Sequence, residues 1–218
     1  MNDGSVTFAT KCYEMDWKKI VFGGFQRKVA ACQYPFERKV LVINNVIDQD
    51  GVREAARWVT PDFCFAHPDS IQSQFRLNGP PNVFASGELA AVGMANSDYS
   101  GTGYLCYVQG DCITSGGDWV TPAIKVLRSE PDVMVVSPAS EVNTWNDEEG
   151  YDRYMSDHAF VVRVKDFINP EFYAVAGIDS DYPLYGGNSF EHMVGKYLKA
   201  TGKKRKILTD FYVQHPAY

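Results

Sequence analysis

The sequence of 218 residues has only four histidines, no CxxC pair among its five cysteines, no surplus of positive charge and no long apolar run. Each absence removes a class of function. A formal net charge of −6 argues against a general nucleic-acid binder, which needs excess Lys and Arg to meet phosphates. Cys12, Cys32, Cys64, Cys106 and Cys112 make an odd count without metal-ligand spacing. Cys12 and Cys106 fall in apolar, strand-like runs, where a free thiol behaves as a small hydrophobe, so the reading is a reducing compartment and no structural zinc. Met1-Asn-Asp-Gly-Ser5 carries neither the basic nor the apolar part of a signal peptide, and no segment is long enough to span a bilayer. The expectation is a cytoplasmic enzyme, or one domain cut from a longer chain.

Nucleotide and hydrolase signatures are also missing. The first strand leads into Lys11-Cys-Tyr-Glu-Met-Asp-Trp17, which holds neither the Gly-x-Gly-x-x-Gly of a dinucleotide site nor a P-loop, and no Gly-x-Ser-x-Gly elbow occurs. Nicotinamide oxidoreductase, NTPase and α/β-hydrolase readings lose weight accordingly.

What is present is a chain rich in core formers, 45% hydrophobic and 14% aromatic, enough for one sizeable core. Strands are expected at Val6–Thr10, Arg38–Asn44, Tyr104–Val108, Asp132–Ser137, Ala159–Val164 and Lys206–Val213. Helices are expected over 14–31, interrupted at Gly23-Gly24, over 50–59 with Asp50 as N-cap, and over 86–96, 119–129 and 188–200. The last is capped by Asn188 or Ser189 and stopped by Gly202. Residues 68–81 read as loop-rich, and Pro138 to Tyr154 as a long functional loop. Strands alternating with helices imply a single α/β domain, a mainly parallel (mixed) sheet flanked by helices.

Four places carry candidate chemistry. Asp111 follows a buried strand and Gln109-Gly110, where open α/β sheets bind ligands; it suits a metal or a phosphate-bearing substrate, or else is a turn residue satisfying backbone donors. Glu191 falls in the first turn of a helix after Gly186-Gly187, where the helix dipole favours a carboxylate able to accept a proton, although Ser189 with a nearby Glu is also an ordinary capping arrangement. His215 stands just past the final strand, a metal ligand or an incidental terminal residue. Asp157 orients an acceptor hydroxyl, competes with Glu191 as base, or merely starts a strand. The loop with Trp145, Asp147, Glu148, Glu149, Tyr151 and Tyr154 has aromatic faces and carboxylates that could wall a ligand, or is only a surface loop. The basic block Lys199, Lys203, Lys204, Arg205 and Lys206 reads as a solvated face rather than an anion or membrane site.

In chain order, Thr7-Phe-Ala-Thr-Lys11, Val42-Ile-Asn-Asn-Val46, Gln109-Gly-Asp111, Gly186-Gly-Asn-Ser-Phe-Glu191 and Val213-Gln-His215 resemble a GT-A-fold nucleotide-sugar glycosyltransferase, similar to the inverting family 2-like members. The resemblance covers most of the chain. It implies one GT-A-like, Rossmann-type domain over 1–218, with a nucleotide-binding half at about 1–112 and an acceptor-binding half at about 113–218. By it, Thr10, Lys11, Asn44, Asn45 and Asp48 become nucleotide contacts, joined by Gln109, Gly110 and Asp111 at the diphosphate. Asp111 and His215 become ligands of Mn²⁺ or Mg²⁺, Gln109 standing where the family usually carries the first Asp of Asp-x-Asp. Glu191 becomes the base, with Asp157 beside it as a second catalytic carboxylate. The implied donor is a nucleoside-diphosphate sugar, UDP-sugars first, and the acceptor a glycan or glycoprotein hydroxyl. A sugar-phosphate nucleotidyltransferase and a non-catalytic carbohydrate-binding domain of the same fold remain as alternatives.

Overall fold

A computed structural model describes residues 4–77, 81, 83–96, 103–140, 151–152, 157–176 and 189–214. Its strands are β1 (Val6–Cys12), β2 (Arg38–Asn44), β3 (Asp62–Ala66), β4 (Tyr104–Val108), β5 (Ile113–Ser115), β6 (Val133–Ser140), β7 (Tyr151–Asp152), β8 (Ala159–Arg163) and β9 (Lys204–Gln214). They form one sheet in the order β3-β2-β1-β4-β8-β6-β9-β5, with β7 also on β9. The block β3-β2-β1-β4 is parallel, β8 is antiparallel to both β4 and β6, β9 is parallel to β6, and β5 and β7 are antiparallel to β9. The expected α/β architecture with a mixed, largely parallel sheet is the one observed.

Helices cover both faces, which is why the inner strands read as unbroken apolar runs. Alternate residues of β1 and β4 serve two cores. Phe8, Cys12, Cys106 and Val108 pack with Trp17, Phe25, Val52, Ala56 and Ile124 on one face. Ala9, Leu105 and Tyr107 pack with Leu89, Val92, Phe172, Phe190 and Val194 on the other. Helices Val83–Asn96 and Phe190–Thr201 lie on this second face, and their burial fixes what overhangs the end of β1.

Several local expectations are corrected. Asp48, not Asp50, caps helix Gln49–Val59, its Oδ1 accepting from Gly51 N at 3.0 Å. The stretch read as loop holds helix Pro68–Phe75, which proline opens with its preset φ. Edge strand β3, short β5 and helix Pro170–Ala176 were not foreseen, because none is long or strongly periodic. Strand β6 continues through Pro138 to Ser140, and the register shift between Pro138 and Ala139 takes up the missing N–H. The interruption expected at Gly23-Gly24 is, by contrast, observed: Phe22 is non-helical and Gly23 has φ 129°. The basic block belongs partly to β9, and Arg205 is fully buried because β9 is flanked by β6, β5 and β7. Lys206 pairs with Glu130 at 2.5 Å.

The chain leaving β4 passes directly against β1. A Cβ on Gly110 would run into the carbonyl oxygen of Lys11 and stand 3.1 Å from Asp16 Oδ2. Gly110→Ala is therefore expected to cost about 1–3 kcal/mol of stability, read as a lowered urea midpoint at unchanged slope.

Candidate active site

Strands β1, β2, β3 and β4 all end on one edge of the sheet. Asp157 joins them because β8 runs antiparallel to β4: Val108 pairs with Ala159, and Gln109 N donates to His158 O at 2.8 Å. The edge thus gathers residues from four distant parts of the sequence: Lys11, Asn44, Gln109–Asp111 and Asp157.

Lys11 is fully buried. Its ammonium forms an ion pair with Glu88, from the overhanging helix Val83–Asn96, and lies 3.9 Å from Asp157 Oδ2. Tyr107 OH donates to the same Glu88 Oε1 at 2.9 Å, while Glu88 Oε2 has no hydrogen-bond partner among the described residues. Burial alone would lower the Lys11 pKa, but the attraction of Glu88, with Tyr13 and Asp157, outweighs it and holds the amine protonated. Burial pushes Glu88 up to about 7 against the pull of Lys11, and Asp157 adds to the rise. Gly87 makes the overlap sterically feasible, since a Cβ there would meet Lys11 Cδ at 2.7 Å and Asn44 Nδ2 at 3.1 Å.

Glu191 reaches the same place from helix Phe190–Thr201. Ser189 caps that helix by accepting from His192 N at 3.2 Å. Glu191 is not used in the cap; its Oε1 accepts from Asp157 N at 2.8 Å. A ring stack of Tyr107, Phe160 and Phe190, with centroids 4.9 and 5.5 Å apart, sets the helix start over β4 and β8. Burial and then the neighbouring Asp157 carboxylate raise the Glu191 pKa, which favours its protonated form.

Asp111 is half-buried just beyond Gly110. Asp16 stands against that glycine, its Oδ1 accepting from Tyr13 N at 2.6 Å. Burial raises the Asp16 pKa, and the charge of Asp111 adds to the rise. Buried Lys28 donates to Cys112 O; burial lowers its ammonium to about 8 against the attraction of Cys112, Asp111 and Asp16. Among the described residues no three His, Cys, Asp or Glu side chains converge on one metal position. His215 lies outside the described residues, although Gln214 before it pairs with Ile113, close in sequence to Asp111.

The other residues expected at a nucleotide divide by burial. Thr10 and Asn44 are fully buried, Thr10 Oγ1 without a hydrogen-bond partner among the described residues. Asn45 is exposed in a left-handed conformation, φ 52°. Asp48 is exposed and engaged as a cap, and it borders a cleft of about 270 Å³ with Glu14, Met15, Trp17, Lys18 and Lys19. Trp145, Asp147, Glu148, Glu149 and Tyr154 lie outside the described residues.

No family model and no curated protein matches the sequence. Solved structures do match. TarS from S. aureus aligns with 95% of the chain at 12% identity and TM-score 0.51, and the chain spans 60% of that structure. Glucosyl-3-phosphoglycerate synthase from Mycobacterium tuberculosis, in complex with Mn²⁺, UDP and glucosyl-3-phosphoglycerate, aligns with 99% at 7% identity and TM-score 0.56, the chain spanning 73% of it. The galactosyltransferase LgtC, with donor and acceptor sugar analogues, aligns with 92% at 12% identity and TM-score 0.50, the chain spanning 72% of it. The chain has the GT-A fold.

Within this GT-A sheet, four contributors escaped the sequence reading: Asp16, Lys28, Glu88 and Tyr107. Glu88 had a visible signal, a lone charge inside Ala85–Asn96, an otherwise uncharged helical stretch that is buried in the core. Lys11 is its counterpart, a lone charge ending an apolar strand. A buried carboxyl with a raised pKa binds its proton more tightly folded than unfolded. The contribution of Glu88 is therefore complete below its ordinary value of 4.5 and is lost as pH rises through about 7. The urea-unfolding free energy is expected to fall between pH 5 and pH 8, by roughly 1–3 kcal/mol, and the fall to be shallower in Glu88→Gln.

Proposed function

We propose that the chain transfers a sugar from a nucleoside-diphosphate sugar to a hydroxyl of a carbohydrate or glycoconjugate acceptor, with inversion at the anomeric carbon. The observation that carries this reading is the meeting of Asp157 and Glu191 at the strand edge that also bears Asp111, on a GT-A sheet. The complexes of glucosyl-3-phosphoglycerate synthase and LgtC support the substrate class by likeness of fold.

The nucleoside lies along the ends of β1 and β2, beside Asn45 and the cleft bordered by Asp48. Its diphosphate faces Gln109, Gly110 and Asp111, with buried Lys28 close enough to feel the Asp111 charge. Asp111 and Asp16 flank one glycine with hard oxygen donors, a set that suits Mn²⁺ or Mg²⁺ when substrate phosphates complete the shell. His215 is the proposed further ligand. Such an ion supplies charge stabilisation for the departing diphosphate.

The acceptor oxygen forms its bond to the anomeric carbon as the bond from that carbon to the diphosphate oxygen breaks. The acceptor proton passes to Glu191, Asp157 being its partner, and the electron pair of the broken bond leaves on the nucleoside diphosphate. General-base assistance of this kind is worth roughly 10²–10⁴-fold.

A panel of nucleotide sugars should yield nucleoside diphosphate on incubation with the protein; release of pyrophosphate from a nucleoside triphosphate plus sugar phosphate would instead indicate a nucleotidyltransferase. Glu191→Gln should cut kcat by about 10²–10⁴-fold with donor Kd little changed, and near-normal turnover removes Glu191 from the role. Asp111→Ala should abolish the gain in nucleotide affinity that Mn²⁺ gives the wild type, as read by calorimetry with and without the ion.

A further inference from the structure

Two carboxyl groups approach one buried ammonium, and a third is tied to one of them. Glu88 is paired with Lys11 from the helix above, Asp157 Oδ2 lies 3.9 Å from the same ammonium, and Glu191 is tied to Asp157 through the 2.8 Å bond to the Asp157 backbone. A single lysine cannot balance three negative charges in a desolvated pocket, so the groups compete for it. Tyr107 donates to Glu88 and strengthens its hold, while Tyr13, with its ring centroid 5.1 Å from the Lys11 ammonium, and Asp16 add to the surroundings. Cys112 also senses Asp157, and His158, whose ring Nδ1 is buried, follows Asp157 directly in the chain.

We infer that Lys11 is a positioning residue for the base: drawn between Glu88 and Asp157, it keeps the Asp157–Glu191 pair singly ionised, and Glu88 sets how much of its charge the pair receives. Glu88 therefore acts as a tuning group of the opposite sign. Removing the Glu88 charge frees Lys11 to stabilise the ionised pair, whereas removing the Lys11 charge withdraws that stabilisation. In the transfer step the ionised member takes the acceptor proton and the other member keeps its own, so the pair begins the step with one proton and ends with two. The kinetic consequence rests on the glycosyltransferase reading; the ionisation itself does not.

The test uses the whole chain and two variants. Among the described residues, Glu88→Gln leaves Lys11 beside the Asp157 carboxylate. The double substitution Lys11→Met with Glu88→Gln replaces the buried ion pair with neutral groups and leaves neither charge of that pair unpaired, which protects folding. The side-chain carboxyl carbons of Asp157 and Glu191 are titrated by NMR, assigned through Asp157→Asn and Glu191→Gln. Relative to wild type, the pH at which the pair becomes ionised should fall by about one unit in Glu88→Gln and rise by about 1–3 units in the double variant. The acid limb of the kcat profile should move the same way in each. A pair titration unmoved in either variant, or moved in the same direction in both, overturns the role given to Lys11. Failure of the wild type to turn over any nucleotide sugar would sink the transferase proposal, and the carboxyl titration would still decide the fate of Lys11.

Discussion

A protonated amine in the interior must be met by negative charge, and that demand shapes the functional end of this molecule. Lys11 closes a buried strand, so its ammonium cannot reach bulk water and Glu88 must be brought to it. Helix Val83–Asn96 can lie low enough only because Gly87 has no Cβ to strike the Lys11 stem. Tyr107, one strand over, finds its hydrogen-bond partner in the same carboxylate. Asp157, delivered by the antiparallel β8, completes the ring of charge. One ion pair therefore couples a strand end, a helix, a neighbouring strand and the loop that carries a proposed catalytic carboxylate.

The consequence for chemistry is a division of labour along the sheet edge. On one side, Asp111, Asp16 and Lys28 gather around Gly110 with mixed charge, the environment a diphosphate and a hard cation would share. On the other, Glu191 meets Asp157, and burial with the neighbouring Asp157 charge raises the proton affinity of Glu191. Lys11 stands between these regions, its carbonyl against Gly110 and its ammonium against Glu88 and Asp157. Departing negative charge and accepted proton would thus be handled by separate groups on one sheet edge, with aromatic stacking setting the start of the helix that carries Glu191 over β4 and β8.

Much of the architecture was legible because buried parallel strands announce themselves as apolar runs and amphipathic helices by their period. Edge and short elements were not. Strand β3 is half-exposed, β5 has three residues, and β6 crosses a proline that ordinarily ends a strand. Arg205 shows the same limit: in sequence it is one of a basic block, and only its place in an inner strand buries it. Asp48 and Asp50 are equally good caps on paper, and backbone geometry alone chose the first.

For the candidate site, the sequence by itself determined the residue types and their local settings: Asp111 after a strand and Gln-Gly, Glu191 in a first helical turn, Asp157 at a strand start. Those features depend on neighbours a few positions away, which composition and spacing record. The tertiary structure alone decided who meets whom. The 34-residue separation of Asp157 from Glu191 and the 77-residue separation of Lys11 from Glu88 close through strand order and helix packing, which no local pattern encodes. It also decided that Lys11, read as a nucleotide contact, is buried in an ion pair, because solvation depends on what is packed above a residue and not on its neighbours in the chain.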